Sequence, residues 1–285
     1  MQNFSRCVYA LLAFSCIAAQ AQQHLEVPRA DGATTPLIVY EPKAASTCAP
    51  LALLSHGAGG SEERGLRYLG EALARDGWRA IALGHRESGL PVLRQDMRAE
   101  GFHDGIAALV TDAGAYKARF MDIDAALKWS ESHCHAPCKV LAGHSMGAIT
   151  VMLEAGARNK LGIDAHGAFD AYVALSPEGP GIVFPEHAWQ PITAPMLLIT
   201  GTKDKGLDGD WRWRTQAFDG LGSGACRWLA VFDGATHMNF GGLDLGDRYK
   251  TRVATLVTQY LDGVRAGRCP NLTAAAGVNL RSKQP

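Results

Sequence analysis

The sequence predicts an α/β fold with a mostly parallel eight-stranded sheet and helices on both faces. Short apolar runs of strand type alternate with longer segments of helical periodicity, which is the pattern of a parallel sheet. Glycine-rich or polar turns directly follow several of these runs, and such sheets place functional groups at the carboxyl ends of their strands. The expected strands are residues 24–27, 36–40, 51–54, 78–83, 140–142, 171–175, 196–200 and 227–232.

The elements between these strands follow from capping and turn signals. The first two strands flank Asp31-Gly32 and are expected to pair antiparallel. The irregular, charged segment 85–111 is either a partly helical cover over the site or a solvated connection. Small and polar residues from Pro270 onwards predict a loose tail over 270–285. Helices are expected over 62–75, 112–131, the residues after Ser145, 211–218 and about 245–264.

Residues 1–21 have the pattern of a secretory signal peptide. Arg6 precedes an apolar run over 8–19, and Ala19-Gln20-Ala21 matches a small-x-small cleavage site. The run is too short to span a membrane stably, so we expect an exported, periplasmic or secreted protein without stable membrane insertion. Lipidation at Cys16 is the alternative, but the residues before it fit a lipoprotein motif poorly.

Composition limits what the rest of the chain does. The 285-residue chain is 47% apolar, and residues 22–269 suit one large domain with a full core. Lysine plus arginine and aspartate plus glutamate balance at 28 each. The chain therefore has no basic field for nucleic acid or for an anionic membrane.

The residues 143–147 carry the main chemical signal, Gly-His-Ser-Met-Gly. They lie between an apolar strand run and a helical apolar pattern, which is the setting in which G-x-S-x-G marks a nucleophile. Side chains in place of the two glycines would collide with the neighbouring strand and helix. We therefore predict that Ser145 is a nucleophile on a strained turn; an ordinary Gly-Ser turn is the alternative.

A serine hydroxyl needs a base and a third group that orients the base. His237 directly follows the last expected strand and is the candidate base. Asp204 ends the preceding strand and is the candidate acid, in the order Ser, Asp, His expected for such a site. The alternative acids are Asp208, Asp210 and Asp233.

An oxyanion formed at Ser145 needs donors fixed in advance. The backbone N–H of Met146 is one candidate, and the N–H of Ala58 in the glycine-rich turn 56–60 is the other. A nucleotide site is excluded because no Gly-Lys-Ser or Gly-Lys-Thr follows that turn. No cofactor and no metal are expected.

At this point the chain clearly resembles the α/β-hydrolase superfamily. The resemblance covers nearly all of the chain after the leader, and it is closest to exported bacterial hydrolases related to dienelactone hydrolase and platelet-activating-factor acetylhydrolase. It implies a carboxylic-ester hydrolase acting through Ser145, Asp204 and His237. Dienelactone hydrolases proper use a cysteine nucleophile, so Ser145 favours ordinary esters. The matching pieces are H-G-A-G-G at 56–60, G-H-S-M-G at 143–147, G-T-K-D at 201–204 and G-A-T-H at 234–237.

The substrate, expected to be a small-molecule ester, is less well defined. Phe184, Trp189, Trp211 and Trp213 lie near strand ends, where they either line an acyl or alcohol pocket or cap the core. No extended apolar lid of lipase type is evident, which favours short- to medium-chain esters. A peptidase, amidase or acyltransferase on the same fold is one alternative. A protein that only binds a ligand is another.

Five cysteines follow the leader, and export favours disulfides. In the resembling fold, the strands after Cys48 and Cys138 are neighbours, which implies a Cys48–Cys138 bridge. Cys226 precedes the last strand and Cys269 follows the last helix, both at the same end of the sheet, which implies a Cys226–Cys269 bridge and leaves Cys134 free. A local Cys134–Cys138 bridge is an alternative. Metal binding by 133–138 is another, although no second pair has zinc-site spacing.

Overall fold

The computed structural model describes residues 22–43, 48–206, 209–242 and 248–284. The expected leader over 1–21 lies outside these residues. The strands are β1 (Gln22–Pro28), β2 (Thr34–Tyr40), β3 (Leu51–Ser55), β4 (Arg79–Leu83), β5 (Lys139–His144), β6 (Ala171–Leu175), β7 (Met196–Lys203), β8 (Arg227–Thr236) and β9 (Val278–Lys283). The helices are α1 (Arg67–Arg75), α2 (Leu90–Glu100), α3 (Phe102–Thr111), α4 (Ala113–His133), α5 (Met146–Glu154), α6 (Trp211–Gly220), α7 (His237–Phe240) and α8 (Arg248–Arg265).

The described strands form one sheet in the order β1-β2-β4-β3-β5-β6-β7-β8-β9. Strands β4, β3, β5, β6, β7 and β8 run parallel to one another. Strands β1 and β2 at one edge and β9 at the other pair antiparallel. The prediction of a mostly parallel sheet is therefore confirmed.

The expected count of eight strands and the expected loose tail are both wrong, because β9 lies within residues 270–285. It pairs with β8 over its whole length, from Phe232 opposite Val278 to Arg227 opposite Lys283. Val278 and Leu280 alternate with polar residues and pack against the core. This short period-two pattern is a strand signal that the small residues before it obscured. By pairing with β8, β9 covers a strand that would otherwise form the edge of the sheet.

Helices cover both faces of the sheet, as predicted. Side chains of one strand point alternately to the two faces, so Leu53 joins one core cluster and Leu54 the other. The first cluster includes apolar side chains of α4, α5 and α6. The second includes those of α1 and α8. The parallel strands are thereby buried from both sides, and their carboxyl ends all open at one edge.

The segment 85–111 is largely helical and forms a pair, α2 and α3. Gly101 between them has φ 89°, a left-handed conformation that favours glycine. The helices approach closely, because a Cβ at Gly105 would lie 2.5 Å from the Met97 nitrogen. Helix α2 has no buried residue, so it lies on the outside of the molecule.

The structure contains the disulfides Cys48–Cys134 and Cys226–Cys269, with Cα separations of 5.6 Å and 5.2 Å. The second pair is as expected, whereas the expected Cys48–Cys138 bridge and a free Cys134 are wrong. Cys138 is a free, buried cysteine packed in the second core cluster. Burial raises the pKa of its thiol to about 11. Neighbouring strands bring both cysteines close to Cys48, but Cys138 turns into the core and leaves Cys134, at the end of α4, to form the bridge.

Replacing both Cys48 and Cys134 by serine should lower the free energy of unfolding by about 2–4 kcal/mol, because the bridge restricts the unfolded chain. Urea unfolding of the oxidised proteins measures the change. The same comparison under reducing conditions is the control, and there the difference should largely disappear. A peptide map of the unreduced parent that links Cys48 to Cys138 would contradict the assignment.

Candidate active site

The turn between β5 and α5 holds Ser145 in a strained conformation, with φ 56° and ψ −119°. Glycine is required on both sides of it. A Cβ at Gly143 would lie 2.2 Å from the carbonyl oxygen of Gly147, and a Cβ at Gly147 would lie 2.0 Å from that of Ser55. The Ser145 N–H donates to the Leu175 carbonyl at 3.0 Å, which ties the turn to the neighbouring strand. The collisions expected from the sequence are therefore present.

Ser145, His237 and Asp204 form one hydrogen-bonded row. The Ser145 Oγ lies 2.9 Å from the His237 Nε2, and the His237 Nδ1 lies 2.9 Å from the Asp204 Oδ1. An ionised carboxylate only accepts, so Nδ1 carries the imidazole proton and Nε2 is left to accept from the serine hydroxyl. Each residue directly follows the carboxyl end of a strand: β5, β7 and β8. This arrangement can remove a proton from Ser145.

The other candidate acids do not contact His237 in the described part of the chain. Asp210 caps α6 by accepting from the Arg212 N–H at 2.8 Å. Asp233 accepts from the Thr202 hydroxyl at 3.1 Å. Asp208 lies outside the described residues. Among the candidates that the structure describes, Asp204 is thus the one in position to orient the imidazole.

Asp204 is fully buried, and its carboxylate contacts the polar groups of three side chains. Oδ1 accepts from the His237 Nδ1 at 2.9 Å and forms an ion pair with the Arg214 Nε, also at 2.9 Å, and Oδ2 accepts from the Thr200 hydroxyl at 3.0 Å. Burial by itself raises the pKa of this carboxyl, but the His237 hydrogen bond and the Arg214 charge outweigh burial and hold the pKa below its ordinary value. Asp204 is therefore charged when His237 takes up a proton.

Arg214 was missed in the sequence, where it is one of two arginines on a short helix. It is buried and donates to the carbonyl oxygens of Asp204, Lys205, Ser176 and Pro177. These bonds join α6 to the turns after β6 and β7. Arg214 therefore fixes the position of the Asp204 turn as well as its carboxylate.

His144, the second residue of the 143–147 motif, also has a role that the sequence did not reveal. Its Nε2 donates to the His237 carbonyl at 3.0 Å, and the two rings lie 4.7 Å apart. Burial and the neighbouring His237 lower the pKa of His144 to about 3. The ring is thus neutral, and it holds the backbone of His237 in place.

Both expected oxyanion donors lie beside Ser145. Met146 is the first residue of α5, so its N–H has no acceptor within the helix, and the positive end of the helix dipole is at that point. Ala58 belongs to the turn after β3, and its neighbour Gly57 is so close that a Cβ there would lie 3.1 Å from the Ser145 Cβ. The two residues approach the serine from different strands.

Two cavities meet at Ser145. The larger, of about 280 Å³, is walled mainly by glycines of the turn after β3 and by apolar side chains. The smaller, of about 180 Å³, contains the charged residues Glu178, Lys205 and Arg214 besides apolar ones. Helices α2 and α3 roof the larger cavity, and Phe102 at its rim is 70% exposed. Besides Ala58, the apolar side chains of the larger cavity are Leu66, Leu93, Met97, Phe102, Ile106 and Met238.

The aromatic residues expected to line the pocket lie elsewhere, except Trp213, which lines the smaller cavity. Phe184 and Trp189 are buried in the core with their rings 5.6 Å apart. Their loop folds back on the chain after α5, where the Arg158 N–H donates to the Ala188 carbonyl. Trp211 lines a separate groove beside β8 and β9. The smaller cavity's aromatic wall is thus Trp213, and the larger cavity's is Phe102.

Residues 22–43, 48–206, 209–242 and 248–284 contain neither a metal-binding cluster nor a membrane-spanning helix. No group of three or more histidine, cysteine, aspartate or glutamate side chains there could hold a metal ion. Within the same residues, no helix has the length and apolar character needed to cross a membrane. Cys134, which the sequence also allowed as a metal ligand, is bonded to Cys48.

Comparison with known proteins supports the fold. No family model matches the sequence, and no curated protein matches it. Among solved structures, Est1E from Butyrivibrio proteoclasticus covers 85% of this chain and 99% of its own at 16% identity and a TM-score of 0.58. A protein from Klebsiella pneumoniae assigned as a dienelactone hydrolase covers 83% and 95% at 18% identity and a TM-score of 0.57. An alpha-beta serine hydrolase homologue from Coxiella burnetii covers 84% and 97% at 16% identity and a TM-score of 0.55.

These structures match this chain over most of its length. The chain has the α/β-hydrolase fold, and the resemblance read from its motifs is confirmed at that level. At sequence identities of 15–18%, the similarity to these structures establishes the fold but not the activity or the substrate.

Proposed function

We propose that the protein is a serine carboxylic-ester hydrolase that acts through an acyl-enzyme. The observation that carries the proposal is the row Ser145, His237 and Asp204, open at its serine end to two cavities. Ser145 is the nucleophile, His237 the general base and acid, and Asp204 the residue that orients His237. The N–H groups of Ala58 and Met146 bind the oxyanion.

The geometry supports two half-reactions. In the first, the Ser145 Oγ attacks the ester carbonyl carbon while the His237 Nε2 accepts the hydroxyl proton, and the tetrahedral intermediate places its oxyanion between the two N–H donors. The carbon–oxygen bond to the alcohol then breaks, and His237 returns the proton to the alcohol. In the second, water attacks the acyl-enzyme with His237 again as base, and the acid leaves as Ser145 regains its proton.

The sizes of the two cavities limit the sizes of the acyl and alcohol parts of the proposed substrate. A carbonyl bound at Ser145 directs its two substituents away from each other, so the acyl and alcohol parts each enter one cavity. Volumes of about 280 and 180 Å³ favour small groups on both sides. We therefore propose short- to medium-chain esters as substrates. One similar structure is named as a dienelactone hydrolase, but we do not propose that substrate for this chain, because its proposed nucleophile is Ser145.

Export is the proposed location. It rests on the signal-peptide pattern over residues 1–21 and is supported by the two disulfides, since such bonds persist in oxidising compartments.

The proposal predicts that a fluorophosphonate labels the protein once per chain and that nitrophenyl esters are hydrolysed. Across a series from acetate to palmitate, kcat/KM should be at least about tenfold higher for the short and medium acyl chains than for palmitate, because the cavities exclude a long chain. The matched nitroanilides should react much more slowly.

Each alternative has its own outcome in the same series. Ligand binding with no label and no turnover would identify a binding protein. Faster cleavage of the anilides than of the esters would identify an amidase. Either result would overturn the proposed activity.

A further inference from the structure

A second Ser–His–Asp row lies behind the turn 56–60. The Ser55 Oγ lies 2.9 Å from the His85 Nε2, and the His85 Nδ1 lies 2.8 Å from the Asp122 Oδ2. All three residues are at most 2% exposed, so no substrate reaches them. Burial lowers the pKa of His85 well below its ordinary value and keeps the ring neutral. This row is therefore not a second active site.

His85 of this buried row also contacts His56, the first residue of the turn, through its backbone N–H. The His85 backbone N–H donates to the His56 Nε2 at 3.0 Å, and the His56 Nδ1 lies 2.7 Å from the Gly57 carbonyl oxygen. A backbone N–H only donates and a carbonyl only accepts. These two partners therefore place the single imidazole proton of His56 on Nδ1. Burial also lowers the pKa of His56 well below its ordinary value, which keeps the ring neutral.

The Gly57 carbonyl belongs to the same peptide unit as the Ala58 N–H. A trans peptide is planar, and its C=O and N–H point in opposite directions. By holding the carbonyl, the His56 Nδ1–H fixes the rotation of this peptide and turns the N–H to the opposite side. Ala58 lines both cavities at Ser145, so that direction determines whether its N–H reaches an oxyanion.

Further bonds hold His56 and the turn from behind. Arg119, fully buried, donates from Nη1 to the His56 carbonyl at 2.8 Å and to the Ser55 Oγ at 3.1 Å. Its Nε donates to the Ser88 Oγ at 3.0 Å, and the Ser88 carbonyl accepts from the Gly59 N–H at 2.8 Å. The peptide that carries the Ala58 N–H is thus held on both sides.

Two glycines leave room for the His56 ring. A Cβ at Gly60 would lie 2.8 Å from the His56 Nδ1, and a Cβ at Gly65 would lie 2.5 Å from the His56 Cβ. Glycines in and after the turn thus make room for the His56 ring, just as Gly57 allows the turn to approach Ser145.

We propose that His56 is a positioning residue, which aims the Ala58 N–H at the oxyanion through its hydrogen bond to the Gly57 carbonyl and is itself held by His85 and Arg119. The inference rests on the proposed esterase activity. It adds a role for the buried residues around His56, none of which touches the substrate.

Two variants of His56 separate positioning from packing. An asparagine amide nitrogen takes the place of the histidine Nδ1, whereas a glutamine amide group takes the place of Nε2. His56→Gln should lower kcat about 10²-fold, approaching the loss caused by removal of an oxyanion donor, with KM changed less than about threefold. His56→Asn should recover at least about tenfold of that kcat. Rates are measured on the best nitrophenyl ester, per active site titrated with fluorophosphonate, with thermal melting as the control for folding.

Each outcome bears on one proposal. A His56→Gln variant with the parent's kcat, or a His56→Asn variant no faster than His56→Gln, overturns the positioning role. A parent that neither turns over esters nor takes the label overturns the proposed function instead. Should both variants fail to fold, the ¹⁵N spectrum of the parent's imidazoles decides: a His56 proton on Nδ1 supports the inference, and a proton on Nε2 or a doubly protonated ring overturns it.

Discussion

Ser145→Ala should lower kcat for a nitrophenyl ester about 10⁶-fold and abolish fluorophosphonate labelling. Removal of the nucleophile of a serine hydrolase leaves only the catalysis that substrate binding and the oxyanion donors provide. The His237 Nε2 loses the hydroxyl that lies 2.9 Å away, and no acyl-enzyme forms. Steady-state turnover and mass spectrometry after labelling measure the two effects.

Folding should be nearly unchanged in this variant, because alanine keeps the Cβ and accepts the same backbone as Ser145. A useful companion is Ser145→Gly, which should be equally inactive but more stable. Glycine relieves backbone strain of about 1–3 kcal/mol, less the extra freedom of the unfolded chain. Ester turnover by Ser145→Ala within about tenfold of the parent would refute the assignment of the nucleophile.

Asp204→Asn should lower kcat by up to about 10⁴-fold, the loss seen when the orienting aspartate of a serine protease is replaced. The physical cause here differs from a wrong tautomer. Arg214 only donates, so it holds the asparagine oxygen at the Oδ1 position, where that oxygen still accepts from the His237 Nδ1. The amide group then faces the Thr200 hydroxyl, which is able to accept. What is lost is the negative charge between Arg214 and the imidazolium that forms during the reaction.

Asp210→Asn is the matched control for this variant. It removes a charge from the exposed cap of α6, away from His237, and should change kcat less than about tenfold. Kinetics of the two variants under one set of conditions decide the matter. A parent-like Asp204→Asn together with an inactive Asp210→Asn would place the acid on the downstream loop.

The sequence was most informative where a local backbone conformation and a chemical group coincide. Gly143 and Gly147 could be interpreted because a side chain at either position has no space, and that constraint is visible in five consecutive letters. Asp204 and His237 could be proposed because each directly follows a strand, and parallel strands end together. By the same reasoning, Ala58 could be predicted to lie near Ser145, because its turn also follows a parallel strand.

Features that depend on the direction of a side chain were harder to predict. Cys134 and Cys138 both precede β5, which is the neighbour of the strand that follows Cys48. The direction of the Cys138 side chain, into the core, determines that Cys134 forms the bridge. Phe184 and Trp189 follow a strand end, but their loop folds back towards α5. Arg214 and His56 have roles set by several partners distant in sequence, and no short motif encodes such a set.

The two disulfides lie at the end of the sheet opposite Ser145. Cys48, Cys134 and Cys226 precede β3, β5 and β8, and Cys269 follows α8. Ser145, its two partners and the α2–α3 roof are all at the other end, and neither of these two disulfides crosses them. Resistance to unfolding and choice of substrate therefore depend on separate sets of residues. The roof helices can change in sequence, and with them the molecules that fit the larger cavity, while the cross-linked end of the sheet continues to hold the strands in register.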